Sequence, residues 1–158
     1  MSLTSSQNWR LLHQLDDLTG WLGVCDDDRL KQAVIPGKWS IWQNAVHLIS
    51  YQPTFLNRIH RILAEPAPLL EKYLAEQDPL FSAYEKLSPQ ELVEKGLEKR
   101  KEIVQLLGSL SETELSRKGI HPVYGSPNLK DWTEFFLLHE SHHCFTAFKL
   151  MQLLDLHL

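Results

Sequence analysis

Apolar residues recur with a helical period in four long segments of the chain. The first segment, residues 5–23, carries leucines at i, i+4, i+7 and i+11 counted from Leu11, a spacing that places them on one face of a helix. The second, residues 40–63, begins with a capping box at Ser40 and continues the same period. It contains Pro53, which we expect to kink or divide this helix.

The third and fourth segments carry start signals as well. Ser88 is followed by Pro, Gln and Glu, which combines a cap, a proline at the first helical position and a glutamate at the third. We expect this helix to cover residues 88–108, and Asn128 to cap a fourth helix that ends near residue 154. The predicted inner face of the third helix consists of Val93, Leu97, Val104 and Leu107.

Strand-like alternation is scarce, so the helices predict an all-α fold, a four-helix bundle. A passage with Pro66, Pro68 and Pro79 separates the second and third helices, and we interpret it as a long crossover connection. The length of 158 residues and the hydrophobic content of 43% fit one domain over residues 1–158 with a core of its own.

Charge and composition argue against several functions. A formal net charge of −4 disfavours a non-specific nucleic-acid binder, which would show a basic face. No stretch approaches the roughly 18 consecutive apolar residues of a membrane span, and the first residues lack the pattern of a secretory signal. Cys25 and Cys144 form no CxxC pair, and we expect them to be reduced thiols in a cytoplasmic protein.

Two of the eight histidines lie on the apolar seam predicted for the fourth helix. The seam consists of Trp132, Phe136, His139, His143, Thr146, Leu150 and Leu153. The i, i+4 spacing of His139 and His143 puts both imidazoles on one face, about 5–6 Å apart at Cβ. A divalent metal would take a lone pair from each and so offset the cost of burying them. A polar network or a pH-sensitive pair fits the same spacing.

Residues 139–143 also spell the H-E-x-x-H pattern of zinc proteases. Such proteases align their substrate on a strand beside the motif helix, and the pattern of this chain predicts none. We therefore disfavour a protease. His142 points off the seam, where we expect it to be exposed or to support a ligand.

A third ligand would come from another helix, and the second helix offers His47 and His60. At 100° per residue, His47 lies on the flank of the apolar stripe and His60 on the solvent side. Periodicity favours His47 weakly, because a flank position is equally typical of a boundary residue. The choice stays open at this point.

Several runs resemble the DinB-like (DinB/YfiT-like) family over nearly the whole chain. They are Gly37-Lys38-Trp39-Ser40-Ile41-Trp42-Gln43 leading to His47-Leu48, the passage His121-Pro122 with Gly125 and Leu129-Lys130-Asp131-Trp132, and His139-Glu140-Ser141-His142-His143. The resemblance implies a four-helix bundle that binds a divalent metal through three histidines, one from the second helix and two from the fourth. These match His47, His139 and His143.

The resemblance also implies a range of activities. Relatives include metal-dependent transferases of low-molecular-weight thiols, a thiol-dependent maleylpyruvate isomerase and proteins labelled as metal-dependent hydrolases, and they are often homodimers. We expect a thiol S-transferase or a hydrolase acting on a small molecule, with zinc, nickel or iron as the metal. The alternative is a non-catalytic bundle whose metal has a structural or sensing role and which acts through partner contacts.

Three further residues are candidates for shaping the site. Arg100 lies on the predicted inner face of the third helix, where it would hold a substrate carboxylate or form an internal ion pair. Tyr51, one turn after His47, would orient substrate or occupy a boundary position. Glu140 would accept a hydrogen bond from a ligand imidazole or be solvated.

Overall fold

The computed structural model describes residues 2–156, and its long helices lie where the periodicity places them. Within these residues the chain forms no strand, and its β contacts are isolated bridges. The helices are α1 (Ser5–Val24), α2 (Asp27–Lys31), α3 (Ile41–Ala64), α4 (Pro79–Tyr84), α5 (Pro89–Ser109), α6 (Glu112–Leu115) and α7 (Leu129–Leu153), with a 3-10 turn at Ala75–Gln77.

Side-chain caps fix the starts of the long helices. Ser40 and Ser88 form the predicted capping boxes of α3 and α5, and Asn128 accepts a hydrogen bond from the backbone of α7. Thr4 forms a further capping box that begins α1. Pro53 lies inside α3 without dividing it, because burial of this helix against its neighbours compensates for the one backbone donor that proline lacks.

The four long helices form the predicted bundle, and the prediction of the fold class is confirmed. α3 packs on α5 and α7, and α1 packs on the same two helices, so α1 and α3 lie diagonally opposite. The side chains of Gln7 and Gln14 donate to the carbonyls of Lys130 and Leu137 in turn, which shows that α1 and α7 run parallel. Residues 65–88 connect α3 to α5.

The buried faces of α5 and α7 are displaced from those predicted. Leu97 is 47% exposed and Leu153 is 60% exposed, whereas Gly96 and Glu140 are buried. On α5 the reason is close packing, since a Cβ atom at Gly96 would lie 3.1 Å from the side chain of Ile49. On α7 the predicted seam repeats every seven residues, and on a straight helix such a seam drifts by about 20° per heptad. Its last member, Leu153, has therefore turned away from the core.

Two connections meet beside the bundle. Leu70 and Ile120 belong to the segments before α4 and α7, and the Leu70 N–H donates to the Ile120 carbonyl at 2.7 Å. Gly119 lets them approach, because a Cβ atom there would lie 2.8 Å from Leu70 Cδ1. This contact holds the loop that carries His121 and Tyr124 next to α3.

The surface of the described residues bears on two expectations. None of the helices within residues 2–156 is long and apolar enough to cross a membrane. Leu138 and Phe145 on α7 are 57% and 60% exposed. They provide apolar surface of the kind that a second copy of the chain would cover in a homodimer. The homodimer stays a prediction.

Candidate metal centre

Three histidines from two helices converge where α3 faces α7. His47 comes from α3, and His139 and His143 come from successive turns of α7. One ring nitrogen of each lies within 4.8 Å of the others. The two closest are the Nε2 atoms of His47 and His139, 2.9 Å apart. His47 is buried and the other two are half-buried.

A buried amide orients the third imidazole. Asn44 lies one turn before His47, and its Oδ1 is 2.8 Å from His143 Nδ1. The Nδ2 of Asn44 donates to the Ser40 carbonyl at 2.8 Å, so the amide presents its oxygen to the ring. His143 therefore carries its proton on Nδ1 and keeps the lone pair on Nε2, as is usual for a metal-binding histidine.

The environment keeps all three rings neutral at neutral pH. Burial lowers the pKa of His47 to about 3, of His139 to about 4 and of His143 to about 3. Neighbouring imidazoles lower the pKa values further, because a second positive charge at this distance is unfavourable. The lone pairs are thus available without the loss of a proton.

The donor set fits a divalent metal. In a tetrahedral zinc site the metal–nitrogen distance of 2.0–2.1 Å places ligand nitrogens about 3.3 Å apart, and here the three lie within 4.8 Å of one another, with the closest pair at 2.9 Å. The Nδ1 atoms of His47 and His139 are buried and have no hydrogen-bond partner among the described residues. Neutral nitrogen ligands suit zinc, nickel and iron alike.

A cavity of about 450 Å³ opens beside the histidines, and His47 and His139 form part of its wall. Much of the remaining wall is aromatic, including Trp39, Tyr51, Tyr73, Tyr124 and Phe135. The ring of Trp39 lies 4.9 Å from that of His47 and 5.9 Å from that of His143. His143 lines a second cavity of about 370 Å³, whose wall also includes Trp39.

Of the other predicted residues, Tyr51 alone reaches this cavity. Its ring lies 5.2 Å from that of His139, and its hydroxyl accepts a hydrogen bond of 2.7 Å from Arg58. Burial raises the pKa of Tyr51, although the charge of Arg58 acts in the opposite direction. Tyr51 therefore stays protonated and is tied to a cation.

Arg100 and Glu140 lie inside the bundle and do not line either cavity. They form a buried ion pair with each other. Gln14 donates a further hydrogen bond of 3.0 Å to the Glu140 carboxylate, and Arg100 Nε donates to the Gln52 amide oxygen at 3.1 Å. Glu140 is neither solvated nor bonded to a ligand imidazole, because its neighbours on α1 and α5 enclose it.

Three residues of the site were given no role there by the sequence reasoning, namely Asn44, Arg58 and His121. Asn44 and Arg58 lie on the same face of α3 as His47, at i−3 and i+11, and this spacing is the signal that could have found them. No periodicity applies to His121, which lies in a loop. His60 and His142 are exposed, as predicted.

The comparisons with known proteins identify the family and the fold. The family model of the DinB superfamily matches residues 10–147 of the chain. No curated protein sequence matches it.

Solved structures share the fold. YfiT from Bacillus subtilis, described as a probable metal-dependent hydrolase with an unusual four-helix bundle topology, has a TM-score of 0.77 at 19% identity, over 99% of this chain and 92% of that one. A mycothiol-dependent maleylpyruvate isomerase has a TM-score of 0.70 at 11% identity, over 89% of this chain and 58% of the isomerase. A third structure, described as a four-helix bundle protein, has a TM-score of 0.65 at 17% identity, over 89% of this chain and 94% of that one.

Proposed function

The chain belongs to the DinB superfamily, and from that premise we propose that His47, His139 and His143 hold one divalent metal ion that acts on a small molecule. The observation that carries the proposal is the convergence of three neutral imidazoles at the wall of a 450 Å³ cavity. A site of this kind leaves room for a substrate beside the metal.

The residues around the histidines prepare the site. Asn44 fixes the tautomer of His143, so that its Nε2 lone pair points away from the amide. Trp39 packs against two of the rings, those of His47 and His143. A divalent ion held by three neutral imidazoles would supply an open coordination position where bound water or a thiol loses its proton more readily.

We infer one of two reactions, hydrolysis or transfer of a low-molecular-weight thiol. Support comes from the structural neighbours, since YfiT is described as a probable metal-dependent hydrolase and the isomerase as mycothiol-dependent. Both chemistries use the same open position. We further propose that the protein works in the cytoplasm, where its free thiols Cys25 and Cys144 would stay reduced.

The alternative is a metal with a structural or sensing role. A structural metal site is closed, with every coordination position filled by protein. Here the described residues bring three ligands together, and two of them face a cavity. The open geometry favours a catalytic role.

Metal binding tests the proposal directly. Untagged protein should be purified, its metal content measured by mass spectrometry, and the metal-free form titrated with zinc by calorimetry. We expect one metal per chain, and we expect His143→Ala to lower the zinc affinity more than about a hundredfold, since even a residue behind a ligand changes affinity by 10–100-fold.

The control is His142→Ala, which removes an exposed imidazole next to the site and should leave the zinc affinity unchanged. An equal loss of zinc affinity in both variants, or no bound metal in the wild type, would contradict the proposal. Collapse of the His143→Ala fold would instead favour a structural metal. A panel of small thiols with an electrophilic acceptor, and of activated esters without thiol, would then separate transfer from hydrolysis.

A further inference from the structure

A buried cation in the wall of the cavity has no carboxylate partner. Arg58, on α3, is 7% exposed and lines the cavity together with His47, His139 and Tyr51. Among the described residues no carboxylate lies within ion-pair distance of its guanidinium. By contrast, Arg61, one turn further along the same helix, is paired with Glu65 at 3.0 Å.

The partners of Arg58 are neutral. Its Nη1 donates to the Tyr51 hydroxyl at 2.7 Å, and its Nη2 donates to the backbone carbonyl of Glu71 at 2.5 Å. The rings of Tyr51 and Trp132 lie 5.6 and 5.5 Å from its Cζ. These contacts orient the guanidinium but do not neutralise it, and a guanidinium has five N–H donors to place.

Other groups in the same wall are also donors or cations. The Nδ1 of His121 accepts from the backbone N–H groups of Val123 and Tyr124, so the ring carries its proton on Nε2. Lys72 lies at the exposed part of the wall, and the acid in this wall, Glu76, is exposed as well. The buried part of the cavity wall therefore carries a positive charge, that of Arg58, and a ligand in the cavity would face it.

We propose that this cavity takes a small organic anion, with its carboxylate held by the Arg58 guanidinium and its apolar part packed on the aromatic wall. Burying a charge is unfavourable unless it is paired, and a planar guanidinium matches a carboxylate with two parallel hydrogen bonds. As a statement about substrate, this rests on the proposed function. The binding itself requires no metal.

The position of Arg58 suits a substrate that reaches the histidines. Arg58 follows His47 by three helical turns on the same face of α3, about 16 Å along the axis at 1.5 Å per residue. Side chains on a helix lean toward its N-terminus, and the guanidinium reaches back to the Tyr51 hydroxyl. A carboxylate at Arg58 would thus direct the rest of the molecule toward His47 and His139.

Two probes of the same shape and different charge test the inference. Benzoate and its neutral analogue benzamide are titrated into metal-free protein and into zinc-loaded protein, with calorimetry as the readout. The wild type should bind benzoate at least about tenfold more tightly than benzamide, in both forms, since hydrogen bonds to charged groups are worth roughly that factor or more. Arg58→Met should abolish this preference.

The matched control is Arg61→Met, on the same helix but half-buried and already paired with Glu65, which should retain the preference. Equal binding of the two probes by the wild type would overturn the proposal. So would a preference that survives Arg58→Met, or one that appears only with zinc, because the metal would then hold the carboxylate. The zinc titration stands apart from this test, so failure of the metal site and failure of the anion site are distinguishable.

Arg58 also supports Tyr51, so Arg58→Met can fail to fold. A second measurement on the wild type needs no variant. In ¹⁵N-labelled protein, benzoate should shift the Nε–H signal of the Arg58 guanidinium and leave that of Arg61 in place. A shift of neither signal, or an equal shift of both, would overturn the proposal.

Discussion

Two polar clusters lie side by side on α7, and they are built in opposite ways. His139 and His143 face α3 beside a cavity, and buried Nδ1 atoms of His47 and His139 have no partner among the described residues. Glu140, next to His139 in the chain, faces the bundle interior, where Arg100 and Gln14 satisfy its carboxylate. We call them the open cluster and the closed cluster.

The difference separates two uses of buried polar groups. In the closed cluster the two charges are paired with each other, so their interaction contributes only to the folded structure and none is left for a ligand. In the open cluster the donors and lone pairs remain available, so a ligand can supply the missing interactions. Adjacent residues on one helix can therefore serve stability and binding independently.

The largest effect expected is on the closed cluster. Arg100→Leu would leave the Glu140 carboxylate buried without its cation, and we expect a loss of about 3–5 kcal/mol in the free energy of unfolding. Urea unfolding of the metal-free protein measures this loss. Zinc affinity of the folded variant should stay unchanged, because neither residue reaches the metal centre.

A double variant shows whether the pair acts as a unit. In Arg100→Leu/Glu140→Leu both charges are removed, so the protein should regain most of the stability that either single change costs. Losses that simply add would mean that the two residues are not coupled. A fall in zinc affinity would break the distinction between the clusters.

A smaller effect is expected on zinc affinity when Asn44, which orients His143 in the open cluster, is replaced. Asn44→Ala removes the acceptor of the His143 Nδ1–H, and we expect zinc affinity to fall about 10–100-fold, as for other residues that orient a metal-binding imidazole. Zinc titration by calorimetry provides the measurement.

Asn57→Ala is the matched control, since Asn57 is an exposed residue of the same type on α3. It should bind zinc as the wild type does. If Asn44→Ala binds zinc equally well, the amide orients nothing and His143 finds its geometry by helix packing alone.

The sequence predicted the centre of the site better than its surroundings. The i, i+4 histidines of α7 were recognisable because helical spacing alone puts them together. His47 stayed ambiguous, since a flank position becomes buried only when another helix packs on it. Arg58 shares the face of His47, but periodicity does not show whether a buried arginine has a partner.

The same limit applies to the fold. Caps such as Ser88 depend on local chemistry and were predictable, and so was the four-helix bundle. Which residues of α5 are buried was not predictable, and Leu97, expected inside, is exposed. The reason is that Gly96 approaches Ile49 of α3, and this contact depends on how two helices pack. The continuity of α3 through Pro53 likewise depends on tertiary packing.

The smallest effect concerns mild acid acting on the open cluster. Relative to the ordinary value of 6.5, burial lowers the pKa of His47 and His143 to about 3 and of His139 to about 4. The unfolded chain therefore takes up protons first, and the stability contributed by the neutral rings is complete above pH 6.5 and is lost as the pH falls toward the folded values. At pH 6.5 the loss is about 0.4 kcal/mol per imidazole.

Urea unfolding of the metal-free protein between about pH 8 and about pH 6.5 measures this loss as a slope. His47→Gln should flatten the slope, because one buried ring no longer titrates on unfolding. His60→Gln should leave it unchanged, since His60 is exposed and gains no burial in the folded state. If the two variants gave the same slope as the wild type, the open cluster would not be held neutral by burial, and its lone pairs would not be free for a metal.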